Sequence, residues 1–203
     1  MDIDMGLYTQ QISLSIEYDW NIAIGKLNEY INLVEQRSSG VTDIEVPIPN
    51  VPRTFYKFGE YATLAEAIGP NNYFHSHTLY GPVLFDVFPF LYQMKQDAVD
   101  LEPTEIAFNK IVGPMPMHVD PPSTGNAAII YFFEDYDSKT VICEEGVDES
   151  YDAIANTAWL LNTQVKHQVY NHNLRYWFSF RFAKSFEECK KYFDKHSDLV
   201  YKS

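Results

Sequence analysis

The chain has 203 residues, of which 46% are hydrophobic and 16% aromatic, enough apolar material for one domain with a substantial core. Its formal net charge of −13 disfavours a nucleic-acid partner, because that affinity depends on Lys and Arg neutralising phosphates. No apolar run reaches the length of a membrane span, and two cysteines, Cys143 and Cys189, make no disulfide framework, so we expect a cytoplasmic protein with no membrane partner.

The N-terminal part of the chain is predicted to contain a strand, a helix and an extended segment. Alternation of apolar and polar residues over Ile12–Ile16 predicts a short strand. After Asp19 a single apolar stripe at three- and four-residue steps predicts a helix, with Trp20, Ile24, Leu27, Ile31 and Val34 on its buried side. The three prolines between Val46 and Pro52 predict extended chain, because a proline disfavours helix at the residue before it.

Two further helices are predicted before residue 104. The pattern Thr63-Leu-Ala-Glu66 is a capping box, and Gly69 would end the helix that it opens. A second helix is predicted from Pro82 to about Met94, although Pro89 would kink its middle. We therefore expect residues 1–104 to form an N-terminal helical and extended elaboration.

From Pro103 to about Phe182 the sequence is typical of short strands separated by turns. The predicted strands are 106–112, 127–133, 140–143, 158–161, 165–170 and 175–182. Six or more strands at this spacing favour a sandwich or barrel. A capping box, Ser185-Phe-Glu-Glu188, then opens a final helix within residues 184–203. The predicted fold is mainly β (α+β), a jelly-roll core buttressed by helices.

The segment Pro116-Met-His118-Val-Asp120 carries the first candidate metal ligands. In a strand, residues i and i+2 point to the same side, so His118 and Asp120 can reach one metal ion. Among the other histidines, His167 is the best third ligand, because it follows Asp120 by 47 residues and lies within a predicted strand. Two histidines and one carboxylate with open positions suit ferrous iron in oxygenases.

The last predicted strand has two contrasting faces. One face is wholly apolar: Tyr176, Phe178, Phe180 and Phe182. The other contains Arg175, Trp177, Ser179 and Arg181. Arginines on the inner face of a barrel are costly unless they meet anions, and the planar guanidinium binds a carboxylate with two parallel hydrogen bonds. The alternative is that this second face is exposed to solvent.

Three segments, in this order, resemble the Fe(II)/2-oxoglutarate-dependent dioxygenases. They are Ile106–Asp120, which ends in His118-Val-Asp120, then Ile129–Phe133, then Trp159–Asn171 followed by Arg175. Within the family the sequence is most similar to the aspartyl/asparaginyl and prolyl hydroxylase type. The resemblance covers roughly residues 105–183 and implies a double-stranded β-helix core there, within one domain of 1–203.

The resemblance also implies roles for individual residues. His118, Asp120 and His167 would bind Fe(II), and Arg175 would pair with the distal carboxylate of the co-substrate 2-oxoglutarate. Tyr131 lies where related enzymes often have a tyrosine hydrogen-bonded to that carboxylate. Dioxygen would be the second co-substrate, and Arg181 has no assured counterpart; it could bind substrate or pair with an acid.

The expected reaction is hydroxylation of a C–H bond in a peptide or protein side chain, an amino acid or a small metabolite. Asp120 favours hydroxylation, because related halogenases carry a small residue in its place, although the aspartyl/asparaginyl hydroxylases often lack this acid. The acidic run between Glu134 and Asp152 is either a solvated edge or a docking surface for a basic substrate.

Two other functions are open on the sequence. His75-Ser-His77 is a second possible metal pair of the kind found in cupins, so a cupin-like metal-dependent dioxygenase or isomerase is an alternative enzyme. These two histidines are otherwise surface or pocket-rim residues. The third candidate is a jelly-roll binding module that keeps the motif without turnover. The oligomeric state is not predicted by any of these features.

Overall fold

The computed structural model describes residues 6–26, 28–29, 68–71, 76–80, 84, 88–196 and 199–202. Thirteen strands are present in this part of the chain: β1 Thr9–Ile12, β2 Leu14–Glu17, β3 Ile68–Asn71, β4 Ser76–Tyr80, β5 Pro103–Val112, β6 Met115–His118, β7 Ala127–Phe132, β8 Ser138–Ile142, β9 Ser150–Asp152, β10 Thr157–Asn162, β11 His167–Asn171, β12 Leu174–Phe182 and β13 Leu199–Lys202. The helices are α1 (residues 20–26 and 28–29), α2 Leu91–Asp97 and α3 Phe186–Lys195.

The strands form two large sheets whose order defines the fold. The seven-stranded sheet has the order β1-β10-β7-β12-β5-β4-β3, and the four-stranded sheet has the order β6-β11-β8-β9. Along the chain, β5, β7, β10 and β12 belong to the first sheet and β6, β8, β9 and β11 to the second. This repeated crossing between two antiparallel sheets is a double-stranded β-helix, so the predicted jelly-roll fold is confirmed.

Two hydrophobic clusters lie on opposite sides of the seven-stranded sheet. The outer cluster packs the sheet against the helices and includes Phe180 and Phe182 from β12 with Phe186 and Phe193 from α3. The inner cluster lies between the two sheets and includes Ile130, Ile142 and Trp177. Some members of the inner cluster, Ile130 and Trp177 among them, also line a cavity between the sheets.

The helix predicted after Asp19 is confirmed where the chain is described. Asp19 Oδ1 accepts a hydrogen bond of 3.0 Å from the backbone N–H of Asn21, which is the contact of an N-cap residue. Trp20 stacks on Phe133 with a ring separation of 4.3 Å. Ile24 packs against the outer cluster, while Leu27, Ile31 and Val34 lie outside the described residues.

The other predictions for the first 104 residues are in part changed, in part outside the described residues and in one case wrong. The strand predicted over Ile12–Ile16 is two strands, β1 and β2, separated at Ser13. The extended segment 46–52 and the capping box at 63–66 lie outside the described residues. Gly69 was expected to end a helix, which is wrong, because it lies in β3 opposite Thr78.

The predicted helix from Pro82 to Met94 is interrupted at Pro89, where a kink was expected. Leu84 is helical, and its carbonyl accepts the Phe88 N–H at 2.6 Å. A turn that contains Pro89 follows, and the helix at Leu91 continues to Asp97, three residues beyond the expected end. The physical reason is the proline, whose ring and missing N–H prevent helix from continuing through it. No helix in the described part of the chain has the length and apolar character needed to cross a membrane.

The predicted strands of the core are all present within two residues of their expected bounds except β5, which begins three residues earlier. The short strands β9 and β13 were not predicted. The capping box before α3 is confirmed, with the Ser185 hydroxyl accepting from the Glu188 N–H at 3.3 Å and the Glu188 carboxylate accepting from the Ser185 N–H at 3.0 Å.

Candidate metal centre

A β-bulge in β6 directs His118 into the space between the sheets. Across the β6–β11 pair, His118 is opposite His167 and Met115 is opposite Val169. Two residues of β6, Pro116 and Met117, therefore stand against one residue of β11, which is the pattern of a bulge. Because of the extra residue, both Met115 and His118 face inward, and Met117 is exposed.

Three side chains meet at this end of the sheet. One possible ligand atom from each of His118, Asp120 and His167 lies within 4.8 Å of the other two. The imidazole rings of the histidines are 4.3 Å apart, and His118 Nε2 is 3.5 Å from Asp120 Oδ1. The 3.5 Å separation of these two atoms is compatible with two ligands that each lie about 2.0–2.2 Å from one ion.

The backbone fixes the orientation of both imidazoles. His118 Nδ1 is 2.8 Å from the carbonyl of Pro116, and His167 Nδ1 is 3.0 Å from the carbonyl of Val165. A carbonyl only accepts, so Nδ1 carries a proton in each ring, and in the neutral imidazole the lone pair is on Nε2. This is the arrangement found for metal-binding histidines, in which a second hydrogen bond sets the tautomer and the ring plane.

The electrostatics of the three groups favour an ionised acid and at least one neutral imidazole. Burial opposes ionisation of Asp120, but the contacts with His118 and Arg181 hold the pKa of its carboxyl far below the ordinary value. Burial lowers the pKa of His167. For His118, burial acts in the same direction but is outweighed by Asp120 and the Pro116 carbonyl, so its pKa is raised.

A cavity of about 360 Å³ extends from these three residues into the space between the sheets. Strands β8 and β11 run from the metal cluster toward the far end of the cavity. His167 is opposite Ile142 at the near end, and Asn171 is opposite Ser138 at the far end. Four residues of strand separate these two levels, which corresponds to roughly 13 Å. Thr140 lies between the two levels and lines the cavity.

Arg175 occupies the far end of the cavity and is only 2% exposed. Its Nη1 donates to Ser138 Oγ at 2.8 Å, and the rings of Phe132 and Trp177 lie 4.7 and 4.9 Å from its guanidinium carbon. Burial lowers its pKa to about 10, so it stays charged at neutral pH. Within the described part of the chain its Nε has no hydrogen-bond partner and no carboxylate pairs with it.

The buried Arg175, which has no counter-ion among the described residues, indicates that an anion belongs beside it. An uncompensated buried charge costs several kcal/mol, and the two aromatic faces offset only part of that cost. Thr140 and Tyr151 line the cavity next to Arg175. Thr140 Oγ1 is buried without a hydrogen bond of normal geometry among the described residues, although it lies close enough to the Tyr151 hydroxyl to lower the pKa of that tyrosine, which burial raises.

Tyr131 is not brought to this cavity. It lies in the outer cluster with Ala127, Ile129 and Phe133, on the face of β7 that is turned away from the other sheet, and its hydroxyl donates to Asn156 Oδ1 at 3.2 Å. The expected contact between Tyr131 and the co-substrate is therefore wrong. The local sequence around Tyr151, the tyrosine that does line the cavity, gave no signal because β9 has only three residues.

The second face of β12 is not a solvent-exposed face. Arg175, Trp177, Ser179 and Arg181 all line the cavity. Arg181 also pairs with acids, since its Nη1 is 2.6 Å from Asp120 Oδ2 and its Nε is 3.1 Å from Glu105 Oε1. Sequence patterns left open whether Arg181 binds substrate or an acid, and the structure assigns it two acidic partners.

Of the second histidine pair, His75 lies outside the described residues, and His77 is described only through its backbone in β4. The acidic run is in part structural. Glu149 Oε2 accepts the backbone N–H groups of Tyr8 and Thr9, each at 3.0 Å. Glu144 Oε1 accepts the N–H of Lys166 at 2.9 Å, so these acids connect neighbouring segments of the fold.

No protein-family model and no curated protein match this sequence. Solved structures with a similar fold include a prolyl-4-hydroxylase from Pseudomonas putida, 11% identical, covering 86% of this chain and 91% of its own, with a TM-score of 0.44. A prolyl hydroxylase from Trichoplax adhaerens, solved with a hypoxia inducible factor peptide fragment, is 12% identical over 87% of this chain and 82% of its own, with a TM-score of 0.47.

A third similar structure is a putative 2OG-Fe(II) oxygenase family protein from Caulobacter crescentus. It is 11% identical and covers 90% of this chain and 82% of its own, with a TM-score of 0.45. Members of the 2OG-Fe(II) oxygenase family are thus among the structural neighbours. At this identity and superposition the likeness carries no argument about reaction or substrate, and the fold rests on its own strand order.

Proposed function

We propose that this protein is an Fe(II)- and 2-oxoglutarate-dependent oxygenase whose iron would be held by His118, Asp120 and His167. The observation that carries the proposal is that this cluster shares its cavity with the buried Arg175, for which the described residues supply no counter-ion. Two neutral imidazoles and one carboxylate suit a divalent ion of intermediate hardness, and three protein ligands leave positions open for small molecules. The oriented Nε2 atoms and the ionised Asp120 fit such an ion.

The far end of the cavity favours a dianionic co-substrate. One carboxylate group of 2-oxoglutarate would reach the metal, and the other would meet the guanidinium of Arg175 with the hydroxyls of Thr140 and Tyr151 beside it. The roughly 13 Å between the level of His167 and the level of Ser138 accommodates a metal bond, an extended five-carbon diacid and a hydrogen bond. A monocarboxylate of that length would leave Arg175 unpaired.

The protein's own groups would orient the metal ligands and the co-substrate and exclude water from the cavity. Hydrogen bonds from both imidazoles to backbone carbonyls would hold the metal in place. Arg175 would fix the distal end of the co-substrate, while Ile130, Leu161 and Val169 provide apolar cavity walls that exclude water. When bound, ferrous iron would supply the activation of dioxygen that is coupled to oxidation of 2-oxoglutarate to succinate.

The reaction that we propose is hydroxylation of a C–H bond in a peptide or protein side chain, an amino acid or a small metabolite. Support comes from Asp120, which occupies the ligand position that halide would need. The two cysteines, Cys143 and Cys189, are both free, which fits a reducing compartment such as the cytoplasm, where ferrous iron also persists.

The decisive experiment is uncoupled turnover by the purified protein. With Fe(II), 2-oxoglutarate and oxygen but no added substrate, we expect slow formation of succinate that His118→Ala abolishes. His172→Ala is the matched control, because His172 is exposed outside the cavity and its loss should change nothing. Absence of succinate, together with no thermal shift on adding iron and an oxoglutarate analogue, would identify a binding module or another chemistry.

A further inference from the structure

A chain of alternating charges runs along the wall of the cavity to the metal cluster. Glu105 on β5 and Arg181 on β12 are opposite residues of neighbouring strands, and their side chains are 3.1 Å apart. Arg181 then reaches Asp120, with 2.6 Å between Nη1 and Oδ2. All three side chains are largely buried, with exposed fractions of 9%, 16% and 12% in that order.

Arg181 is also held from the turn that follows Asp120. Its Nη1 is 3.4 Å from Thr124 Oγ1, and that hydroxyl donates to the carbonyl of Pro121 at 2.8 Å. Gly125 has a φ of +135° and approaches so closely that a Cβ atom there would lie 3.2 Å from the Cβ of Arg181. The guanidinium therefore contacts Glu105, Asp120 and Thr124, while Gly125 packs against the base of the side chain, so Arg181 is positioned by the protein alone.

The two oxygens of Asp120 consequently face different partners. Oδ2 is occupied by Arg181, whereas Oδ1 lies on the side of His118 Nε2, at 3.5 Å. A carboxylate beside a divalent ion can bind it through one oxygen or through both. With Oδ2 held by a charge-assisted hydrogen bond, which is stronger than a neutral one, only Oδ1 is directed to the metal.

We propose that Arg181, held by Glu105, is a positioning residue that restricts Asp120 to one-oxygen coordination of the metal. This inference rests on the proposed metal site and deepens it. A two-oxygen carboxylate would fill one more coordination position, which an oxygenase needs for co-substrate and dioxygen. Glu105 neutralises the guanidinium, so that Arg181 can lie close to a bound cation without repelling it at full charge.

Cobalt(II) is a suitable probe, because its visible absorption depends on the number and geometry of ligands. In Arg181→Met we expect a changed Co(II) spectrum and an affinity weaker by about 10–100-fold, the range for loss of an outer partner of a metal ligand. Arg181→Lys should restore part of the wild-type spectrum, since an ammonium still donates to Oδ2. Lys184→Met, which removes a partly exposed ion pair with Glu102, is the control and should match the wild type.

The outcomes separate this inference from the proposed function. If wild-type protein does not bind Co(II) in a manner dependent on His118, the metal site itself is wrong. If it does, and Arg181→Met keeps both the wild-type spectrum and the wild-type affinity, the positioning role is wrong.

A second measurement needs no change at Arg181 and remains decisive if that variant fails to fold. Infrared difference spectra of wild-type protein with and without metal, using carboxyl-labelled aspartate, distinguish one-oxygen from two-oxygen binding of Asp120. A one-oxygen signature that is absent in His118→Ala supports the inference. A two-oxygen signature overturns it.

Discussion

The two faces of β12 differ in chemistry although they share one backbone. Tyr176, Phe178, Phe180 and Phe182 face the helices and are 4% exposed or less. The alternate residues face the other sheet and bring two arginines, a serine and a tryptophan into a buried cavity. Burial of aromatic surface on the first face stabilises the fold, and the desolvated charge on the second face destabilises it.

This contrast explains how the fold can hold the buried Arg175, which has no acidic partner in the part of the chain that the structure describes. A buried charge without a counter-ion destabilises a free-standing sheet, but here the same strand is secured from behind by the outer cluster of aromatic residues and helices. Stability and ligand binding are therefore assigned to opposite faces of the seven-stranded sheet. Substitutions on the outer face should lower the stability of the protein. Removal of Arg175 on the inner face should leave the stability unchanged or raise it, and should weaken ligand binding.

The largest effect is expected from the outer face. Phe180→Ala removes a fully buried ring and should lower the free energy of unfolding by about 3–5 kcal/mol, measured by denaturant titration of the metal-free protein. Metal affinity of the folded fraction should stay unchanged. Val200→Ala, at a site that is 52% exposed, is the control. A loss below about 1 kcal/mol for Phe180→Ala would mean that this face does not carry the stability.

The inner face should respond in the opposite direction. Arg175→Met removes a buried charge for which the described segments hold no counter-ion, so the metal-free protein should be as stable as the wild type or more so. Affinity for 2-oxoglutarate, titrated anaerobically with metal present, should fall tenfold or more, since a charge-assisted contact contributes about 1.5–3 kcal/mol.

Two controls sharpen this test. Lys139→Met removes an exposed cation beside Ser138 on β8 and should leave the affinity for 2-oxoglutarate unchanged. If Arg181→Met weakens co-substrate binding while Arg175→Met does not, the two arginines have been assigned the wrong roles.

As the pH rises, the contribution of His118 to the stability of the metal-free protein should fall, whereas the affinity for metal should rise. The folded-state pKa of His118 is raised by Asp120 and the Pro116 carbonyl against the effect of burial. Protonated His118 therefore contributes stability below its unfolded pKa that is lost as pH rises through the folded pKa. Metal needs the neutral ring, so its affinity should rise by up to about tenfold per pH unit over that same range.

Thermal midpoints measured from pH 5.5 to 8, with and without Co(II), test this expectation. The metal-induced shift should grow with pH, and His118→Gln should remove both trends at this site. If the metal-induced shift in the wild type is independent of pH, proton and metal do not compete for His118.

The smallest effects come from a matched pair of tyrosines on the two sides of the seven-stranded sheet. Tyr131→Phe removes one hydrogen bond to Asn156 and should cost about 0.5–1.5 kcal/mol of stability without changing the affinity for 2-oxoglutarate. Tyr151→Phe should weaken 2-oxoglutarate binding severalfold. The opposite result, with Tyr131 affecting the co-substrate, would contradict the placement of Tyr131 in the outer cluster.

Several features follow from the sequence because their physics is local. The period of two along residues 175–182 separates the apolar from the polar face of β12, and Pro89 interrupts the helix that the apolar pattern predicts. The capping box at Ser185 begins α3 as expected. The i, i+2 spacing of His118 and Asp120 brings them together, although β6 ends at His118 and Asp120 lies beyond it.

Other features depend on contacts between segments that are distant in the chain. The alternation of side chains along β7 places Tyr131 on the same face as Ala127 and Ile129, but it does not reveal which face of β7 meets the second sheet. Tyr151 and Glu105 reach the cavity only through strand pairing, and neither has a local motif. Sequence alone could not locate them, because register and sheet packing are fixed by the sum of many long-range contacts.

The candidate ligands, the alternation of β12 and the mainly β jelly-roll fold follow from the sequence, since each depends on residue type and on a short period. The tertiary structure adds that a bulge turns His118 toward His167, that no described residue supplies a counter-ion for the buried Arg175, and that Arg181 holds one oxygen of Asp120. These facts depend on how the two sheets are paired and packed, which no single segment specifies.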